Sequence, residues 1–291
     1  MKVCLTLPIE SRGLERVENA LVRYAPDRVS LVRERSQADL VILHVIGRND
    51  KVREAIRSLR RRRKKYAVIQ YCLRSTLRPS TSDWMDLWKD AKLVWSYYDL
   101  PALCTEDGTR GVFEFYHAPL GVNAGIFYPR DRVRGEFIIA TSGMHALTES
   151  VKECVVAAKK VGRRVFHLGH QLRRGDDIVC RSGITDQELA GYFSSCEFVS
   201  GLRRTEGFEL PVAEGLLCGA RPILFNQPHY RQWYSNLALF IPEEPREKIT
   251  ETLVKVFEAG ASPVTKDEMK EAEERFNWKK IASGFWERVL V

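Results

Sequence analysis

No apolar run in this chain approaches the roughly 20 residues that a membrane-spanning helix needs. The opening Met1-Lys2-Val3-Cys4-Leu5-Thr6-Leu7 is too short for a secretory leader and reads instead as a first buried strand. No C-x-x-C pair occurs: the seven cysteines are odd in number and scattered. That argues against a disulfide framework or a zinc site, and it places the expected location in a reducing cytoplasm. There is no internal repeat and no low-complexity segment beyond one basic run, which excludes a repeat array. Base-reading signatures such as a helix-turn-helix or a zinc finger are also missing. Metal-ligand spacing is absent too, since Asp176-Asp177 beside Gly175 reads as a turn. The residues therefore give no reason to expect a metal.

Present instead are 291 residues at 44% hydrophobic content, enough for a full core and two domains. Charge is unevenly spread. Residues 1–130 hold 23 Lys+Arg against 15 Asp+Glu, while the remainder is balanced, so the whole excess of +8 lies in the first half. Such asymmetry speaks to partners rather than to fold.

Short β-rich runs alternate with amphipathic stretches, the pattern of βαβ units in parallel sheets. Strands are expected at Lys2–Leu7, Arg28–Val32, Asp39–His44, Tyr66–Tyr71, Lys92–Trp95 and Val112–Tyr116, with helices near Leu14–Arg23, Val52–Arg63 and Asp83–Ala91. A polar hinge follows around Pro129. Beyond it, strands are expected at Phe137–Thr141, Arg164–Leu168, Phe198–Ser200 and Pro222–Phe225, and helices near Glu149–Lys160, Asp186–Ser195, Pro211, Arg246–Ala259 and Asn277–Leu290. The fold class is α/β, with two Rossmann-like doubly wound domains facing across a cleft at the carboxyl ends of their strands. Their boundaries are 1–130, 131–275 and a C-terminal helix over 276–291.

The most informative stretch runs from Thr205 to Gly219. Glu206 and Glu214 bracket a glycine turn, and Pro211 then opens an apolar helix. Proline suits a first helical turn because its missing N–H would be unpaired there anyway. The free amides and the positive end of the helix dipole favour a phosphate or a sugar hydroxyl. An ordinary strand-loop-helix with surface glutamates has the same spacing.

This Glu-x7-Glu element, the following Cys218-Gly219-Ala220-Arg221-Pro222-Ile223 and the upstream segment from His117 to Pro129 resemble the retaining GT-B glycosyltransferases of the glycogen-synthase and mannosyltransferase type. The resemblance is strongest from about residue 116 to 226. It implies a retaining, metal-independent transfer of a hexose from a nucleotide-sugar, which is a substrate and not a cofactor. It places Glu206 beside the donor sugar and Glu214 on the ribose. It also brings the amides of Gly207, Phe208 and Glu209 to sugar hydroxyls, and those of Leu210, Pro211 and Val212 toward the phosphate. The last helix is implied to cross back onto the first domain.

The usual phosphate clamp departs from the family pattern. Where Gly-Arg and a following Lys are typical, this chain has Gly143-Met144 and Glu149. Backbone at Gly143 can still cradle phosphate, with replacement cations from Arg203 and Arg204, or from Arg173 and Arg174. His145 lies in the same altered loop. His44 ends an apolar strand, where the family places a histidine near the sugar, although a strand-end histidine also serves structure. The loop carrying Arg12 and Gly13 resembles the acceptor loop and equally fits a plain helix entry.

The run from Arg60 to Lys65 ends an amphipathic helix and turns Arg53, Arg57, Arg60, Arg61 and Lys64 outward. A solvated face explains such a run. With the charge split it also points to an anionic acceptor: a lipid-linked or surface glycan, with peripheral contact at the inner membrane face, or DNA held by its phosphates. In the DNA case the reaction would be glucosylation of hydroxymethylated bases, as in phage-type enzymes. A catalytically silent nucleotide-sugar-binding module is the remaining reading, motivated by Met144 and Glu149.

Overall fold

A computed structural model describes residues 1–6, 12–46, 50–73, 81–105, 113–143, 149–169, 177–204 and 207–291. The chain divides into two compact units. One comprises Met1–Gly121, Thr205–Phe208 and Trp278–Val291; the other comprises Val122–Arg204 and Glu209–Asn277.

The first unit runs β1 (Lys2–Thr6), α1 (Arg12–Arg23), β2 (Ser30–Leu31), β3 (Leu40–Val45), α2 (Asp50–Arg61), β4 (Lys65–Gln70), α3 (Thr81–Trp88), β5 (Val94–Ser96), α4 (Leu100–Thr105) and β6 (Phe115–His117). Its six strands are parallel in the order β2-β1-β3-β4-β5-β6. Central strands are covered on both faces, so they read as unbroken apolar runs; every residue of β3 is buried. On α2 the buried positions are Val52, Ala55, Ile56 and Leu59, the stripe that a 3.6-residue period dictates.

The second unit holds β7 (Phe137–Ser142), α5 (Val151–Lys160), β8 (Val165–Leu168), β9 (Ile178–Arg181), α6 (Asp186–Ser194), β10 (Cys196–Gly201), α7 (Leu210–Leu217), β11 (Arg221–Phe225), α8 (Pro228–Tyr234), β12 (Leu239–Ile241), α9 (Arg246–Ala259) and α10 (Lys266–Arg275). Its strands are parallel in the order β12-β11-β10-β7-β8-β9.

The last helix, α11 (Trp278–Val289), belongs to the first unit. Ile281, Phe285, Trp286 and Val289 are buried along it. The Trp286 indole donates to Leu21 O at 3.0 Å, and the Phe285 ring lies 5.5 Å from that of Trp95.

Expected and observed elements differ mainly at the margins. The edge strands β9 and β12 and the helices α4, α8 and α10 were not expected from the pattern. Edge strands of three or four residues carry too little alternation, and α10 buries only Ala272 in a charged sequence. Helix α5 begins at Val151 rather than Glu149, because Glu149 forms an antiparallel bridge with Arg203.

Candidate functional site

In the second sheet the chain leaves β7 outward to β8 and β9, then returns to the other side of β7 for β10, β11 and β12. The strand order therefore reverses between β7 and β10. In open parallel sheets ligands bind outside the carboxyl ends of the strands at such a switch point. Ser142 and Gly143 arrive there from β7, and Gly201, Leu202 and Arg203 from β10.

Gly143 has φ +125°, open only to glycine in practice, and it is further crowded. A Cβ there would lie 1.5 Å from Glu149 Oε2 and 2.3 Å from Oε1, so the Glu149 carboxylate rests directly on the glycine. Arg203 spans the same crevice. Its Nη2 donates to Ser142 O at 3.1 Å and to Ser142 Oγ at 2.9 Å. Its Nε pairs with Glu209 Oε2 at 3.1 Å, and its Nη1 lies 3.5 Å from Glu149 Oε1. Arg204 donates to Ser150 Oγ at 3.3 Å, pairs with Glu243 at 3.5 Å and lies over the Phe225 ring. Arg203 and Arg204, two of the four expected replacement cations, therefore both face carboxylates.

Glu209 precedes α7 with extended backbone and is 1% exposed. Besides Arg203, its carboxylate accepts from the Tyr230 hydroxyl at 3.3 Å, and its carbonyl accepts from Tyr234 at 3.0 Å. Pro211 lies in the first turn of α7 as expected. Among the amides at 210–212, Pro211 has no N–H and Val212 donates to Glu209 O at 3.1 Å, while the Leu210 amide has no backbone partner among the described residues. Glu214 is 1% exposed, on a helix buried nearly all round. Its charge is felt inside the unit, where it adds to burial in raising the Cys218 thiol to about 12.

A further residue sits beside this crevice that sequence reasoning missed. His167 on β8 is fully buried, and its Nδ1 lies 2.9 Å from Thr141 Oγ1. Burial, helped by nearby Arg203, lowers its pKa to about 4, so the ring is neutral at pH 7. Its Nε2 has no hydrogen-bond partner among the described residues. The strand-end position that singled out His44 would have found it. Tyr230 and Tyr234, whose hydroxyls both reach Glu209, were likewise not among the expected site residues.

In the first unit, His44 near the end of β3 is 1% exposed. Its Nδ1 lies 2.8 Å from the Tyr71 hydroxyl, and the two rings stack at 5.8 Å. Burial lowers the His44 pKa to about 3 and raises Tyr71 well above its ordinary value, so both are neutral. An aromatic run continues through Tyr97, Tyr98 and Phe208; Tyr97 and Phe208 lie 5.9 Å apart. Gly207 presses on the Tyr98 ring so closely that a Cβ would come within 2.1 Å of it.

The expected acceptor face is divided in its occupations. Arg60 pairs with Asp90 at 2.8 Å and Asp86 at 3.5 Å and donates to the Tyr66 hydroxyl. Lys64 donates to Ser36 O and Ala38 O. Both thus brace neighbouring elements, whereas Arg57, Arg61, Arg62 and Arg63 are exposed. An open hollow of about 770 Å³ is lined by Glu54, Arg57, Ser58, Arg60 and Arg61. Gly13 lies in the first turn of α1. Glu206, Met144, His145, Arg173 and Arg174 lie outside the described residues, as does the Arg12 side chain.

Solved structures share this architecture. Sucrose-phosphate synthase from Thermosynechococcus elongatus superposes with TM-score 0.73 at 12% identity, covering 98% of this chain and 97% of that one. Anabaena Alr3699/HepE, solved in complex with UDP and glucose, gives TM-score 0.74 at 11% identity and 99% coverage of both chains. The chain has the GT-B fold. The pneumococcal O-GlcNAc transferase GtfA, in complex with UDP and GlcNAc, is a larger structure of similar fold: TM-score 0.65, 14% identity, covering 86% of this chain and 56% of that one. No protein-family model matches the sequence, and no curated protein is significantly similar to it. Among the described residues, no helix is long and apolar enough to cross a membrane.

Proposed function

We propose that this chain is a retaining, metal-independent glycosyltransferase that moves a hexose from a nucleotide-sugar to an anionic or membrane-associated glycan or lipid. One coincidence carries the reading. The Glu-x7-Glu element, singled out for sugar and phosphate chemistry, launches its helix at the carboxyl edge of a GT-B sheet, next to the switch point. Neighbours of the same fold were solved with UDP, which supports a nucleoside-diphosphate donor.

In this reading Glu206 lies beside the donor sugar and Glu214 serves the ribose. The Leu210 amide and the start of α7 serve the phosphate. His44 stays neutral at pH 7 and offers Nε2 as a hydrogen-bonding atom rather than a charge. The acceptor's negative charge falls to Arg57, Arg61 and Arg62, because Arg60 and Lys64 are engaged in structure.

The test is release of free nucleoside diphosphate from a panel of nucleotide-sugars, with and without EDTA, and the anomeric configuration of the product by NMR. Turnover that survives EDTA, keeps the donor's anomeric configuration and vanishes in Glu206→Ala is the expected result. An inverted product or EDTA-sensitive turnover removes the corresponding part of the proposal. A second reading, a silent binding module, is favoured by the carboxylates that face Arg203 and Arg204. Nucleotide binding without turnover across the panel would establish it. For the acceptor, sedimentation with anionic vesicles that is lost when Arg57, Arg61 and Arg62 are neutralised supports a membrane-associated partner. Duplex DNA binding with a steep salt slope supports the nucleic-acid alternative.

A further inference from the structure

The crevice between β7 and β10 has the parts of an anion seat, and one of the chain's own carboxylates sits in it. The floor is Gly143, whose bare face receives both Glu149 oxygens. The wall is the Arg203 guanidinium, whose side chain is 16% exposed. Two of its three nitrogens are committed at short range: Nη2 to Ser142 and Nε to Glu209. The third, Nη1, faces Glu149 across 3.5 Å. Charge-assisted N–H···O contacts ordinarily lie near 2.7–2.9 Å. The Glu149 contact is thus the loosest that Arg203 makes to these groups, and the one an incoming oxyanion can take over.

The surroundings make that exchange charge-sensitive. Among the described residues, Glu149 and Glu209 both face Arg203, and Arg204 faces Glu243. His167, whose Nε2 is open and buried at the adjoining strand end, adds a hydrogen-bonding atom and no positive charge at pH 7. Gly169 ties that nitrogen to the seat: its missing Cβ would fall 2.7 Å from His167 Nε2 and 2.9 Å from Gly143 O.

We propose that Glu149 is a specificity-determining residue of this site, its carboxylate holding the place of a donor phosphate so that an anion binds only by displacing it. The inference rests on reading the crevice as a nucleotide-sugar site. Its consequence is selection by charge: each further negative charge on the ligand's phosphates costs affinity while Glu149 is ionised. Replacing that residue with a neutral isostere removes the discrimination.

Calorimetric titration of inorganic pyrophosphate, UDP, GDP, ADP and uridine into the full chain and Glu149→Gln tests this. In the variant, pyrophosphate and the nucleotide that binds are expected to gain about tenfold or more in affinity. Uridine, which has no phosphate, is expected to be unchanged. Glu149→Asp keeps the charge on a shorter arm and should gain less. Glu258→Gln removes one exposed negative charge from α9 and should gain nothing. Thermal melts of each variant establish that the fold is retained. Equal or weaker anion binding in folded Glu149→Gln overturns the assignment and leaves the nucleotide reading standing. A gain for pyrophosphate with no nucleotide binding keeps the seat and removes the nucleotide reading. Absence of anion binding in every variant removes both.

Discussion

One guanidinium joins three segments of the second unit. Arg203 reaches the end of β7 through Ser142, the lead-in to α5 through Glu149 and the lead-in to α7 through Glu209. Glu209 is 1% exposed, so losing Arg203 would leave a carboxylate with weaker charge compensation away from water. Breaking one side of a buried pair typically costs about 3–5 kcal/mol. Arg203→Ala should therefore lower unfolding free energy by that order in urea titrations; a loss below about 1 kcal/mol would mean that water reaches Glu209. The neutral histidines give a second residue-scale expectation. His44 and His167 titrate at about 3 and about 4 in the folded chain, below the ordinary 6.5. Below pH 6.5 the unfolded chain takes up protons that the folded chain refuses, so stability is full above that pH and falls as acid is added. Urea midpoints measured from pH 7 to pH 4 should decline, and His167→Asn should decline less steeply over the same window. Parallel slopes would show that His167 is protonated normally in the fold.

Elements were more legible than their joints. The apolar runs that became β3, β4, β7 and β11 announce themselves because both faces are covered, and the stripe on α2 was readable position by position. Pro211 marked the start of α7 from local backbone chemistry alone. What the sequence hid was pairing at long range. Glu149 and Arg203 are 54 positions apart, and nothing local says that the glutamate would lie on Gly143. Burial of Glu209 depends likewise on Tyr230 and Tyr234 from a later helix. Gly215 shows the same limit. It sits mid-helix, where glycine is unfavourable, because α7 approaches β10 closely: a Cβ would fall 2.9 Å from Val199 Cβ. Gly215→Ala should push α7 off the sheet at a cost of about 1–3 kcal/mol despite alanine's better helix propensity. A variant as stable as the parent in denaturant titration would show that β10 gives way.

At the scale of the whole molecule, the chain is not divided where its sequence is. The first unit takes residues from three separate stretches and closes with the final helix, so its core contains side chains nearly the length of the sequence apart. Trp286 is 1% exposed and bonded to Leu21 O, while Phe285 is fully buried against Trp95. Truncating a buried tryptophan to alanine costs about 3–5 kcal/mol, through lost transfer free energy and an unfilled cavity. That is a large part of the stability of an ordinary domain. The second unit contains neither residue. Trp286→Ala should therefore destabilise β3 and β4 while leaving β7 and β10 comparatively protected, which hydrogen exchange read by mass spectrometry can resolve strand by strand. Equal loss of protection in both sheets would mean that the two units unfold as one, and that the last helix supports the entire chain.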